Sequence, residues 1–100
     1  MGDPPPKGTP RDTVTYFFLI NNTAKGAVQT AAQRKKEAND VTTLVKNEGG
    51  RCHLYLTRGS PFDFVSVVTG ITTAAAVRIA DEIERRGAAK VTLISGIESF

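Results

Sequence analysis

An α+β domain with the element order strand, helix, strand, strand, helix, strand is what this 100-residue sequence predicts, on three observations. Val14 to Ile20 reads VTYFFLI, apolar on both of its alternating sets. Two stretches, Val28 to Val45 and Ala75 to Ile83, repeat apolar residues at three- and four-residue steps. Between them, two alternating runs flank the turn-forming cluster Arg58-Gly59-Ser60-Pro61. Two strand–helix–strand halves joined by a hairpin make the split βαβ arrangement of ferredoxin-like sandwiches. In that fold an antiparallel four-stranded sheet carries both helices on one face.

Residues 1–12 hold four of the five prolines and no large apolar residue after Met1, so they are expected to form a disordered tail ahead of a folded domain at 13–100. In the first strand Tyr16, Phe18 and Ile20 share one face, and Phe17 and Leu19 the other. A strand apolar on both faces belongs at the centre of a sheet. Asn21, Asn22 and Thr23 supply turn and N-cap chemistry, and Gly26 permits a tight exit. One amphipathic helix is then expected, with Val28, Ala31, Ala32, Lys35, Ala38, Val41, Leu44 and Val45 along its stripe and Lys35 snorkelling from the middle. Gly49-Gly50 closes it.

Arg51 to Thr57 alternates, with Cys52, Leu54 and Leu56 set against Arg51, His53, Tyr55 and Thr57, as a half-buried strand does. Phe62 to Thr69 completes the hairpin, and Gly70 ends it. Thr72 or Thr73 caps a helix whose core stripe is Ala75, Ala76, Ile79, Ala80 and Ile83, with Asp81–Arg85 and Glu82–Arg86 as i,i+4 pairs on the wet side. Gly87 ends it, and Lys90 to Ile97 alternates as the last strand.

Two helices cover only one sheet face, and the other must still carry an apolar set from Val14–Ile20 and from Phe62–Thr69. Soluble monomers rarely leave such a patch bare. A homodimer or higher oligomer packed through that face is expected, burying on the order of 1,200 to 2,000 Å² in total.

The formal charge of +3 is modest. Its one basic run, Arg34-Lys35-Lys36, is followed by Glu37 and Asp40 and lacks interleaved aromatics, so it reads as a solvated helix face and no nucleic-acid partner is expected. No apolar run approaches the roughly 20 residues that cross a bilayer, so no membrane partner is expected. The single cysteine, Cys52, has no intramolecular partner for a disulfide, and a cytoplasmic location is expected. Cys52 and the single histidine, His53, are adjacent and point to opposite strand faces, so they cannot chelate one metal ion. Glycines 49, 50 and 59 match no phosphate-loop spacing, and no cofactor is expected.

Five residues are candidates for a site. Asp63 follows a turn, where a carboxylate either accepts a substrate proton or accepts amide hydrogens of the Gly59–Phe62 turn. His53 and Tyr55 share a strand face. They supply acid–base chemistry if that face lines the cleft between sheet and helices, and are ordinary edge-strand residues if it looks outward. Arg34 and Arg58 either bind an anionic ligand through the guanidinium fork or make surface salt bridges.

Tyr16-Phe17-Phe18-Leu19 followed by Asn21, Thr23 and Gly26, then Arg34, Gly49-Gly50, Tyr55-Leu56-Thr57-Arg58-Gly59 and Phe62-Asp63-Phe64-Val65, resemble the GYD domain family of small bacterial and archaeal proteins. The resemblance spans about residues 14 to 97. The family's motif of glycine, any residue, tyrosine, aspartate is met by Gly59, Phe62 and Asp63, with two residues, Ser60 and Pro61, in place of one and without the tyrosine hydroxyl. The resemblance implies a dimeric α/β-barrel assembly, a group that includes small isomerases, cofactor-free monooxygenases and dismutase-like enzymes. No generally established reaction attaches to the GYD proteins, and fold analogy does not transfer chemistry. The expectation is a small-molecule binding or structural module. The alternative is a cofactor-free isomerase or monooxygenase-like enzyme for a small carbonyl or aromatic compound, which requires Asp63, His53 and Tyr55 to converge on one pocket.

Overall fold

The computed structural model describes residues 14–98; the tail assigned to residues 1–12 lies outside the described residues. In chain order the elements are β1 (Val14–Asn22), α1 (Ala24–Ala27), α2 (Ala31–Asn47), β2 (Arg51–Leu56), β3 (Phe64–Thr69), α3 (Thr73–Arg85) and β4 (Ala89–Ile97). The strands form one sheet in the order β2-β3-β1-β4, and every neighbouring pair is antiparallel. Each helical crossover therefore skips over one intervening strand, as the split βαβ order requires. The aromatic, β-branched β1 sits at the centre as expected, pairing Phe18 with Ser66 on one side and with Leu93 on the other.

The register sorts the two faces. Tyr16, Phe18 and Ile20 of β1 and Val68 of β3 are buried beneath the helices with Ile71 and with Ala75, Ala76, Ile79 and Ile83 of α3. Alanines let α3 lie close to the sheet, so the core is dense on that side. The second helix contributes much less: Val45 is its one buried residue, with Val41 and Leu44 partly buried. On the opposite face of the sheet lie Phe17, Leu19, Val65, Val67 and Ile94, and no element among the described residues covers them.

The expected single stripe from Val28 to Val45 is broken. Thr23 caps a separate four-residue helix, α1, its Oγ1 accepting from Gly26 N at 3.2 Å and donating to Gly87 O at 2.7 Å. A second cap follows at Thr30, which exchanges hydrogen bonds with Gln33 in a capping box. Val28, between the two helices, is 81% exposed and not in the stripe. Two competing N-caps, Thr23 and Thr30, outweigh the apolar periodicity. Gly26 is required by a close approach: a Cβ there would stand 1.9 Å from the Ala88 carbonyl oxygen.

The third helix begins at Thr72, one of its two expected caps, whose Oγ1 accepts from Ala75 N at 3.1 Å. Its wet face forms the expected Glu82–Arg86 pair, but Arg85 departs from the expected Asp81. Glu82 takes both Arg85, at 2.9 Å, and Arg86, at 3.3 Å, so Arg85 turns to the i,i+3 carboxylate in place of Asp81. The third strand begins at Phe64, two residues later than expected, because Phe62 and Asp63 are held by the loop that precedes it.

Candidate functional site

A chamber of about 320 Å³ opens between α2 and the sheet. Its floor is Ile20 of β1, Cys52 and Leu54 of β2, and Phe64 and Ser66 of β3; its roof is the Ala38, Val41 and Thr42 stripe of α2. Local composition explains the gap. Small side chains, Ala38 and Thr42 above and Cys52 and Ser66 below, face one another where the α3 half of the molecule has isoleucines and phenylalanine. The volume lies near the lower end of the ~300–1,000 Å³ range of small-molecule pockets.

The deepest polar group is Ser66, 1% exposed, whose hydroxyl stands 2.9 Å from Cys52 Sγ. That contact satisfies a buried hydroxyl that would otherwise be costly, and leaves the chamber floor effectively apolar. Asn22, Gln29, Arg34, Lys35 and Glu37 of its lining come from the end of β1, the α1–α2 link and the N-terminal half of α2, and the exposed Arg34 and Lys35 mark this polar end as the chamber's open mouth. Arg34 donates through Nη2 to Ala27 O at 3.2 Å, which anchors its guanidinium against the end of α1.

Of the five candidate residues, only Arg34 lines this chamber. His53 and Tyr55 lie on the other face of the sheet, since Cys52 and Leu54 alternate with them and line the chamber; their register partners are Val67 and Val65. Asp63 sits in the loop before β3, where Oδ2 accepts from Asn22 N at 2.9 Å while its own amide donates to Ile20 O at 2.9 Å. Its carboxylate therefore serves a neighbouring strand; the Gly59–Phe62 turn is held instead by Ser60 Oγ, which accepts from Phe62 N at 3.0 Å. Arg58 lies exposed in the β2–β3 loop. None of Asp63, His53 and Tyr55 lines this chamber, so it does not unite them as an acid–base site.

The residues that sequence reading did not assign to a site are Lys35, Cys52, Ser66 and Phe64. Lys35 reads from spacing as a snorkelling core residue and Cys52 as a small buried hydrophobe. The available signal was the thinness of the α2 stripe, whose alanine and threonine face small residues on β2 and β3.

The ion pairs of this half lie outside the chamber. Asp40 Oδ2 accepts from Lys36 Nζ at 2.9 Å and from Arg86 Nη1 at 2.8 Å, tying α2 to α3. Those hydrogen bonds, Lys36 first and Arg86 second, hold the Asp40 carboxyl below its ordinary value, and the Asp40 bond raises Arg86. Among the described residues no three His, Cys, Asp or Glu side chains gather as a metal site, and no helix is long and apolar enough to cross a membrane.

Fold and chamber together define a ferredoxin-like α+β sandwich with an apolar pocket between one helix and the sheet. Among solved structures the chain is similar to a chlorite dismutase-like protein, TA0507, with a TM-score of 0.62 at 17% identity, covering 92% of this chain and 46% of that one. It therefore spans under half the length of that protein. It is also similar to the protein YJCS, with a TM-score of 0.54 at 10% identity over 87% of this chain and 100% of that one. At these identities the likeness establishes the fold. No protein-family model matches the sequence, and no curated protein matches it.

Proposed function

We propose that this chain is a small-molecule-binding module of the GYD type that works as a homodimer. The observation that carries the binding reading is the chamber of about 320 Å³ under α2, walled by Ala38, Val41, Leu54 and Phe64. Apolar concavity with a few polar groups at one end is what small-ligand sites share. The homodimer is supported by the other face of the sheet, where Phe17, Leu19, Val65, Val67 and Ile94 form a continuous apolar surface that a second copy would cover. His53 and Tyr55 lie on that face and become seam residues rather than an acid–base pair.

Binding is tested with N-phenyl-1-naphthylamine, a neutral apolar probe that fluoresces when shielded from water. Saturable binding that slows alkylation of Cys52 by iodoacetamide is expected, because Cys52 is the sole thiol and lines the chamber. Ala38→Trp, which fills the roof, should reduce both effects at least tenfold. A probe that binds Ala38→Trp as well as the wild type, or that leaves Cys52 alkylation unchanged at saturation, overturns the reading.

A further inference from the structure

We infer that the ligand of this chamber is an amphipathic monocarboxylate, its apolar body over Leu54 and Phe64 and its carboxylate between Arg34 and Lys35; the inference rests on the chamber being the binding site. Three observations on the charge of the mouth converge. Arg34 and Lys35 both line it, one turn ahead of Ala38 on the same helical stripe. Among the described residues neither is in an ion pair, whereas Lys36, Arg78, Arg85 and Arg86 each hold a carboxylate. Both project from the N-terminal half of α2, a 17-residue helix with no acidic side chain in its first turn, so its positive end adds to theirs.

The charge count selects the ligand class. Glu37 also borders the mouth, leaving about one net positive charge across the three side chains. A single carboxylate matches that balance, and a dianionic phosphate exceeds it. The guanidinium of Arg34 donates to Ala27 O through Nη2 and keeps its other N–H groups for an anion. The floor offers no competing polar partner, since the Ser66 hydroxyl is engaged with Cys52. An apolar body at the floor and a charged head at the mouth is the orientation that keeps charge off the apolar floor.

The test displaces N-phenyl-1-naphthylamine from the wild-type protein with 2-naphthoate, 2-naphthamide and 2-naphthyl phosphate. Naphthoate should bind about ten- to a hundredfold tighter than the neutral amide, the range expected for hydrogen bonds to a charged group. Its advantage should shrink as salt rises from 0.02 to 0.5 M, and the phosphate should not exceed it. In Arg34→Gln/Lys35→Gln the ratio of naphthoate to naphthamide affinity should fall towards unity, while Arg85→Gln, on α3 away from the mouth, leaves the ratio unchanged. Equal affinities of acid and amide in the wild type, or a preference that salt does not alter, overturn the inference while the chamber reading stands. Failure of the neutral probe to bind at all removes the chamber reading first.

Discussion

Arg86 Nη1 meets Asp40 Oδ2 at 2.8 Å across the gap between α3 and α2. The same guanidinium reaches Glu82 through Nε at 3.3 Å, Glu82 also takes Arg85, and the Asp40 carboxylate takes Lys36, so five side chains form one network. With α2 supplying so little to the core, this polar tie is a main link between the two helices over the chamber.

Replacement of Arg86 by Gln should lower Tm by up to a few degrees, since partly exposed ion pairs contribute little singly and more when networked. The Asp40 carboxyl is held below the ordinary aspartate value of 3.8, chiefly by Lys36 and then by Arg86. A depressed folded-state pKa gives stability that is present above the unfolded value and lost as pH falls through the folded one. The Tm difference between the wild type and Asp40→Asn should therefore be constant from neutral pH down to about pH 5 and shrink below that. A difference that grows on acidification contradicts the assignment.

Gly26→Ala places a methyl group 1.9 Å from the Ala88 carbonyl oxygen, and a backbone atom on that side cannot swing away. Urea unfolding should show a loss of about 2–3 kcal/mol, the upper part of the overpacking range. Gly59→Ala meets no atom within 4 Å but keeps a φ of +69°, so only its backbone conformation is penalised, by about 1 kcal/mol. Equal losses at the two sites would show that the contact with Ala88 is not what requires glycine at 26.

Tyr16 is 2% exposed and its hydroxyl stands 2.7 Å from Thr73 Oγ1, joining the central strand to the first residue of α3. Tyr16→Phe should cost about 1 kcal/mol without altering the far-ultraviolet circular dichroism. Thr73→Val, removing the other partner, should cost less in the Tyr16→Phe background than alone, and a double-mutant cycle measures the coupling.

Phe17 pairs with Val67 and Ile94 at the middle of the uncovered sheet face. If a second copy covers that face, sedimentation velocity at micromolar concentration should give a dimer, and Phe17→Glu a monomer. A wild-type monomer at every concentration tested would remove self-association through this surface.

Strand faces were legible in the sequence because a strand's side-chain period is two and strictly local. Tyr16, Phe18 and Ile20 could be set against Phe17 and Leu19 by counting, and the Thr72-Thr73 pair announced the start of its helix without deciding which of the two caps it. The break at Val28–Gln29 was less legible, because the caps at Thr23 and Thr30 compete with an apolar spacing that fits one longer helix. Asp63 shows the limit most clearly. Its neighbours suggest a turn acceptor, yet its carboxylate holds Asn22, which only the meeting of β1 with the loop before β3 brings near.

The sequence by itself determined the order of the four strands and the two long helices, the antiparallel sheet with both of those helices on one face, the central place of β1 and the apolar character of both sheet faces, since each follows from short-range periodicity and turn chemistry. Only the tertiary structure decided that Arg34 and Lys35 share a cavity mouth while His53 and Tyr55 face away from it. A cavity is volume left unfilled by side chains from several elements at once, here Ala38 and Thr42 over Cys52 and Ser66. No local pattern records that sum, because none of those residues is unusual in its own segment.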